Sequence, residues 1–180
     1  MIYALIAGGS LAFVSIKTTP QIIENRIKSE TESRAQVLPG MDGGYEQKTG
    51  ENGFPYWIGY LDTERKEIGG FIYIAQGKGY SSTIKSMVGV SKDGAICGVH
   101  ILSQQETPGL GSRIEEILYG ENDPWFTRQF KGKTMHDILK VVKDGGDIDS
   151  ITGATVSSRA VINSINSGLK QLSEIVGEEL

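Results

Sequence analysis

The stretch Asp149-Ser150-Ile151-Thr152-Gly153-Ala154-Thr155 runs directly into a pattern of apolar residues that is typical of an amphipathic helix. The apolar positions recur every three or four residues, as one stripe of a helix requires. They are Val161, Ile165, Leu169, Leu172 and Val176. The sequence therefore predicts a long C-terminal helix with Thr155 at or just inside its first turn.

A helix that begins at Thr155 offers a phosphate a favourable position. The first N–H groups of a helix lack acceptors within it, and the helix dipole favours negative charge there. Gly153 and Ala154 are small enough to let a ligand approach the backbone closely. Alternatively, Thr152 or Thr155 only caps the helix, because Ser and Thr are favoured N-cap residues. These residues alone leave both interpretations open.

The same seven residues resemble the acceptor motif Asp-x-x-Ser/Thr-Gly-Ala-Thr, in which a flavin transferase esterifies the phosphate of FMN to the last threonine. This motif marks the covalent-FMN subunits of two related respiratory complexes. They are RnfG of the Rnf ferredoxin:NAD oxidoreductase and NqrC of the Na⁺-translocating NADH:quinone reductase. The resemblance implies that Thr155 carries FMN, that Asp149 is recognised by the transferase, and that Thr152, Gly153 and Ala154 belong to the cofactor site.

A second segment strengthens this resemblance. Residues 79–102 read as strand, turn and strand, and they lead into the loop Gln105-Glu106-Thr107-Pro108-Gly109-Leu110-Gly111. This order is similar to the core of the flavin-binding domain in those subunits. The resemblance implies a flavin ring surrounded by four residues of the loop: Glu106, Thr107, Gly109 and Leu110. One departure is Ser81-Ser82, where the family usually has two glycines.

Composition limits the classes of function. A chain of 180 residues fits one domain plus an appendage. The net charge is −4 and there is no dense Lys/Arg cluster, so we expect no nucleic-acid partner. The single Cys97 excludes an internal disulfide and any iron–sulfur cluster held by the cysteines of this chain alone. His100 and His136 lack the spacing of a known metal site, and we predict none.

Residues 2–16 carry no charge, but the run is shorter than the about 20 apolar residues of a typical membrane-spanning helix. Three interpretations compete: a signal-peptide core, a buried helix of the domain, and a transmembrane helix. A signal peptide would have a basic region before the apolar run. Gly8-Gly9-Ser10 suits close packing against other membrane helices. We predict a transmembrane helix over residues 1–19, in contact with membrane lipid.

A stalk over residues 20–40 and an FMN-binding domain over residues 41–180 complete the predicted organisation. The stretch 18–25 resembles the segment that follows the membrane anchor in RnfG. Lys17, Arg26 and Lys28 all follow the apolar run, so the positive-inside rule places the domain in the cytoplasm. The family resemblance implies the extracytoplasmic side. We follow the family and expect a single-pass protein of the cell membrane.

Local patterns within the domain predict two β-hairpins, the second around an Asp93-Gly94 turn. The predicted strands cover residues 56–61, 69–75, 85–90 and 95–102. A short helix is predicted over residues 112–118, and a strand or short helix over residues 135–142. Together these elements indicate an α+β domain built on a mainly antiparallel sheet with flanking helices.

The favoured hypothesis is an electron-transfer subunit that carries FMN on Thr155 and supplies no catalytic residue of its own. The resemblance implies partners among the other membrane, iron–sulfur and flavin subunits of the Rnf complex, with electrons passing from ferredoxin to NAD. RnfG is preferred to NqrC because the chain is short and the loop precedes a compact Trp125-Phe126 segment. The alternatives are a stand-alone extracytoplasmic flavoprotein shuttle and a membrane-anchored binding or assembly domain in which Thr155 is only a cap.

Overall fold

The computed structural model describes residues 2–134 and 136–177. The chain divides into two units, Met1–Glu32 and Ser33–Leu180. Helix α1 spans Ile2–Val37, so it contains all of the described part of the first unit and begins the second. Pro20 lies inside this helix and cannot donate a backbone hydrogen bond there. The boundaries drawn at residues 19/20 and 40/41 stay predictions.

The predicted transmembrane segment falls partly outside the described residues, since the side chains of residues 1–7, 10 and 11 are not described. Among the residues that are described, no helix combines the length and the apolar character needed to span a membrane. The transmembrane helix over residues 1–19 therefore stays a prediction.

A five-stranded antiparallel meander forms the centre of the second unit, with the strands in sequence order. The strands are β1 Gly44–Thr49, β2 Pro55–Tyr60, β3 Ile68–Lys78, β4 Thr83–Ser91 and β5 Ile96–Ser103. The four predicted strands correspond to β2 to β5, and both predicted hairpins are present. This confirms the predicted antiparallel sheet. Strand β1 was not predicted, because its polar residues carry little of the apolar alternation that marks a strand.

Alternation along the strands gives the sheet two covered faces. Phe71, Tyr73 and Ala75 of β3 point into the larger core, whereas Ile72 belongs to a smaller cluster on the opposite face. That smaller cluster also contains the end of α1 and the residue after it: Val37 and Leu38. A sheet with both faces buried supplies a rigid base for the loops that leave its strands.

Helix α3, Thr155–Val176, covers the larger core. All five residues of the predicted apolar stripe are buried, each at most 5% exposed. The stripe therefore confirms both the helix and the face that it buries. Burial of a large aliphatic side chain contributes about 1.5–3 kcal/mol, so α3 is a major source of the stability of the domain.

Shorter helical elements follow β5 along the chain before α3 begins. A 3₁₀ helix at Gly111–Glu115 replaces the predicted helix over residues 112–118. Helix α2, Trp125–Arg128, is a single turn, and a second 3₁₀ helix covers Val142–Asp144. The prediction of a strand or short helix over residues 135–142 is wrong for residues 136–141, which are irregular. The side chains of Leu139 and Val141 are buried in the core. Their segment pairs with none of the strands that the structure describes, and Val141 makes an isolated β-bridge to Ile148.

At Gly168, α3 packs directly against the ring of Tyr73 in β3. A Cβ at Gly168 would lie 2.0 Å from the ring atom Cε2 of Tyr73. Tyr73 is fully buried and its hydroxyl donates to the Ile165 carbonyl at 2.9 Å, so the ring has no free space to move into. Glycine is therefore required here by packing against the aromatic ring.

We expect Gly168→Ala to lower the free energy of unfolding by about 1–3 kcal/mol, because the overpacked methyl group outweighs the better helix propensity of alanine. Urea unfolding monitored by circular dichroism measures this change. Ser167→Ala, at an exposed neighbouring position, is the matched control and should stay within about 0.5 kcal/mol of the wild type. A Gly168→Ala protein that is as stable as this control would contradict the packing argument.

Candidate functional site

Helix α3 begins at Thr155, where the sequence predicts a helix N-terminus. The N-cap residue is Ala154, and no side chain makes the cap hydrogen bond. Thr152 is exposed and Thr155 is partly exposed. The interpretation in which Thr152 or Thr155 caps the helix is therefore wrong for this structure, and the hydroxyl of Thr155 lies in the first turn instead.

The turn that precedes α3 has the geometry to receive an anion. Gly153 adopts a left-handed backbone with φ of 78°, which few residues other than glycine tolerate. The Ala154 amide donates to the Ile151 carbonyl at 2.9 Å, and the Ser158 amide donates to the Ala154 carbonyl at 3.0 Å. No acidic residue of α3 itself lies in its first turn, and the nearby carboxylate of Glu106 is engaged by the Ser157 hydroxyl and by backbone amides. The start of this 22-residue helix thus fits a phosphate group.

The beginning of the motif is held by a side chain from another segment. The Asp149 amide donates to Oε1 of Gln129 at 2.7 Å, and Nε2 of Gln129 donates to the Asp149 carbonyl at 3.2 Å. Further along, the Ile151 amide donates to Oγ of Ser158 at 3.1 Å. These bonds tie the motif to the rest of the domain on both sides of its exposed residues Thr152 and Gly153.

Glu106 is a buried residue at the centre of a hydrogen-bond network next to this helix start. Its Oε1 accepts hydrogen bonds from the amides of Ser81 and Ser82 at 3.0 and 2.9 Å, and from the Ser82 hydroxyl at 3.0 Å. Its Oε2 accepts from the Tyr80 amide at 2.9 Å and from the Ser157 hydroxyl at 2.5 Å. One carboxylate therefore connects the turn after β3, its own loop and the first turn of α3.

Two glycines make room for this carboxylate. A Cβ at Gly79 would lie 2.6 Å from Oε1 of Glu106. A Cβ at Gly111 would lie 2.6 Å from Oγ of Ser157 and 2.7 Å from Cβ of Glu106. The glycines at the two ends of this region therefore allow three chain segments to close around one buried charge.

The network keeps Glu106 ionised. Burial, which leaves the residue 5% exposed, would by itself raise the pKa of Glu106. The hydrogen bonds from the Ser157 hydroxyl and from the amides of Tyr80, Ser81 and Ser82 outweigh burial and lower that pKa to about 2. The side chain is consequently a fixed negative charge at any physiological pH.

The other loop residues that the sequence analysis selected lie on the surface beside the helix start. Leu110 is 42% exposed, and a Cβ at Gly153 would lie 3.0 Å from its Cδ2. Thr107 and Gly109 are exposed, and the Gly109 amide donates to Oγ of Ser112 at 3.1 Å. The structure thus brings the loop 105–111 and the motif 149–155 together. Contact of this loop with a flavin ring stays a prediction.

Ser157 is a residue of the site whose role the sequence analysis missed. It lies four residues before Val161, on the line of the apolar stripe, and it is buried. A polar residue on the buried face of a helix needs a hydrogen-bond partner, and this was the available signal. The partner itself, Glu106, is 51 residues away in the sequence and could not be identified from the helix pattern.

Comparisons with known proteins show the family of this chain. The sequence profile of the FMN-binding domain family matches residues 79–170, which include both site segments. The G subunit of an ion-translocating oxidoreductase complex from Pseudomonas aeruginosa (strain UCBPP-PA14) is 30% identical over 185 residues, covering 94% of this chain and 83% of that protein. The protein of the same name from Vibrio atlanticus (strain LGP32) is 37% identical over 128 residues, covering 69% of this chain. That alignment spans 58% of the Vibrio protein.

A solved structure has a similar fold. The C subunit of the Na⁺-translocating NADH-quinone reductase from Parabacteroides distasonis ATCC 8503 superposes with a TM-score of 0.51 at 24% sequence identity. The superposition covers 68% of this chain and 62% of that one. At this identity the likeness concerns the fold alone.

We expect the acid sensitivity of the fold to depend on Glu106. A pKa lowered from 4.5 to about 2 corresponds to on the order of 3 kcal/mol of folding free energy. This stability is fully present above the unfolded-state pKa and is lost as the pH falls through the folded-state pKa. The gap in unfolding free energy between wild type and Glu106→Gln should therefore be largest near neutral pH and shrink below about pH 4.5.

Urea unfolding at a series of pH values measures that gap. Glu64→Gln is the control, because Glu64 is exposed and pairs only on the surface with Lys66. A gap between wild type and Glu106→Gln that stays constant from neutral pH to about pH 2.5 would contradict the ionised network.

Proposed function

We propose that this protein is an electron carrier with FMN esterified to Thr155. The premise is its family: the chain belongs to the FMN-binding domain family and to the G subunits of ion-translocating oxidoreductase complexes. The observation that carries the proposal is the position of Thr155. Its hydroxyl lies in the first turn of a long helix, directly after a left-handed glycine and Ala154, in the part of the chain that matches the FMN-binding family.

The chemistry of the site supports a phosphoester at this position. The new bond would join the oxygen of the Thr155 side chain to the phosphorus of FMN. A flavin transferase would supply the flavin as a dinucleotide, in which a phosphoanhydride bond links the FMN phosphorus to a second nucleotide. That anhydride bond would break, the second nucleotide would leave with its own phosphate, and the hydroxyl proton would pass to a base of the transferase. The first N–H groups of α3 and the helix dipole would then stabilise the remaining phosphate charge. Gly153 and Ala154 place no long side chain in the way, and Thr152 is exposed beside them.

A covalent bond is also consistent with the exposure of the loop beside the helix start to solvent. The loop residues Thr107, Gly109 and Leu110 are exposed, as an electron carrier requires if partners are to approach its cofactor. Retention of FMN through a bond to Thr155 would not depend on an enclosing pocket. The flavin supplies the redox chemistry, and the residues of this chain hold and orient it. No acid or base from this chain is needed for electron transfer.

The complex proposed around this subunit follows the family. Electrons would pass from reduced ferredoxin towards NAD, coupled to ion movement, and both the NAD site and the ion path would belong to partner subunits. The proposed location is the cell membrane, with the single N-terminal helix in the lipid and the flavin domain on the extracytoplasmic side. Copurification of polytopic membrane, iron–sulfur and flavin subunits supports this assignment, whereas isolation without partners favours the stand-alone shuttle.

We expect Thr155→Val to abolish covalent flavin, because the substitution keeps the branched shape of the side chain but removes the hydroxyl. The full-length protein should be produced together with its flavin transferase and then denatured. In-gel fluorescence under ultraviolet light detects the bound flavin. Mass spectrometry of the peptide containing residues 149–159 should show one added FMN group in the wild type and none in the variant.

Thr152→Val is the matched control, because it removes the other threonine hydroxyl of the motif. The peptide of this variant should still carry FMN. Fluorescence that persists in Thr155→Val and disappears in Thr152→Val would show that FMN is attached to Thr152 and not to Thr155. A wild-type protein that stays colourless and unmodified in the presence of the transferase would overturn the proposed function.

A further inference from the structure

We propose that Glu106 is the positioning residue of the flavin-acceptor site, and that its carboxylate holds the first turn of α3 through Ser157 so that the Thr155 hydroxyl is correctly placed for phosphoester formation. The inference rests on the proposed function. It assigns Glu106 a role different from contact with the flavin ring, because its carboxylate oxygens already accept five hydrogen bonds from the protein.

The first step of the argument is geometric. The same oxygen, Oε2 of Glu106, accepts the Ser157 hydroxyl at 2.5 Å and the Tyr80 amide at 2.9 Å. The first turn of α3 is therefore tied directly to the turn that follows β3. The short distance to Ser157 is typical of a hydrogen bond from a hydroxyl to a charged acceptor, which is about twice as strong as one between neutral groups.

The second step concerns how close Ser157 lies to Thr155, the proposed site of flavin attachment. Ser157 follows Thr155 by two residues, and both lie within the first turn of α3. Because the helical backbone fixes the rise and rotation between neighbouring residues, a displacement of Ser157 also displaces the Thr155 hydroxyl. A misplacement of about 1 Å can lower the rate of a reaction by about a hundredfold. Glu106 therefore controls the position of the reacting oxygen without touching it.

The third step is the requirement for an ionised carboxylate. Every hydrogen-bonding partner of the side chain that the structure describes is a donor: three backbone amides and two hydroxyl groups. A glutamine has the same shape, but its NH₂ group would face one of these donors instead of accepting from it. Glu106→Gln therefore keeps the volume of the side chain and breaks part of the network.

Gly111 provides an independent way to disturb the same contact. A Cβ at Gly111 would lie 2.6 Å from Oγ of Ser157 and 2.9 Å from Oε2 of Glu106, so it would separate the two groups. Gly111→Ala retains the charge of Glu106 but misplaces its partner. If positioning is the function of the carboxylate, Glu106→Gln and Gly111→Ala should produce the same kinetic defect.

The test uses the full-length chain, purified flavin transferase and a flavin donor, with the rate of covalent FMN incorporation as the readout. The variants are Glu106→Gln, Ser157→Ala and Gly111→Ala. Ser164→Ala is the control for loss of a buried serine in α3, because its hydroxyl donates to the Val161 carbonyl of its own helix. Tyr73→Phe is the control for lost stability, because it removes a buried hydrogen bond to Ile165.

We expect incorporation to slow at least tenfold in Glu106→Gln and Gly111→Ala, and several-fold in Ser157→Ala, at a temperature where circular dichroism shows every protein to be folded. The defect should appear in kcat more than in KM for the acceptor protein, since the reacting oxygen is misplaced. Ser164→Ala and Tyr73→Phe should react at the wild-type rate. If Glu106→Gln or Gly111→Ala does not fold, the rate of Ser157→Ala decides.

Wild-type rates in Glu106→Gln, Gly111→Ala and Ser157→Ala would overturn the proposal and leave the proposed function intact. A slowing that matches Tyr73→Phe at equal loss of thermal stability would also overturn it, because Glu106 would then only stabilise the fold. A wild-type chain that accepts no FMN would instead overturn the proposed function itself, whatever the variants do.

Discussion

The ionised side chain of Glu106 imposes the strongest constraint on the candidate site. A charge that is 5% exposed must be compensated, since an unpaired buried carboxylate costs several kcal/mol. This protein compensates it with hydrogen-bond donors from two other segments, the turn after β3 and the first turn of α3. The turn at Tyr80–Ser82 supplies backbone donors to the carboxylate, and Gly79 and Gly111 leave the space that it occupies. Two of the segments that meet here, the loop of Glu106 and the first turn of α3, also lie beside the motif that ends at Thr155.

The rest of the domain supplies the rigid base on which this arrangement depends. Helix α3 is fixed along its length by its buried stripe and by the contact between Gly168 and the ring of Tyr73. Its first turn begins beside the exposed residues of the loop 105–111. A long, well-packed helix with an accessible N-terminus therefore combines stability with an anion-binding position, which suits a cofactor that is held by its phosphate.

Local sequence patterns predicted most of the elements of the domain. Strands β2 and β3 are marked by short runs of apolar and aromatic residues, and β4 and β5 flank an Asp-Gly turn signal. Such signals depend only on neighbouring residues. Strand β1 was missed because residues 44–49 are mostly polar and form the edge of the sheet. The segment 136–141 was assigned wrongly because Leu139 and Val141 alternate like strand residues. In the structure they are anchored in the core without a neighbouring strand.

The sequence by itself determined the start and the buried face of α3 and the antiparallel hairpins, and the resemblance of residues 149–155 to the acceptor motif proposes Thr155 as the flavin-bearing residue. All of these follow from residues that are close together in the chain. Only the tertiary structure decided what Glu106 does, because its donors are 24 to 26 residues away at Tyr80–Ser82 and 51 residues away at Ser157. No local periodicity encodes a partner at such a separation. The folded sheet and helix bring these groups together, and the cost of burying a charge then selects the hydrogen bonds that they make.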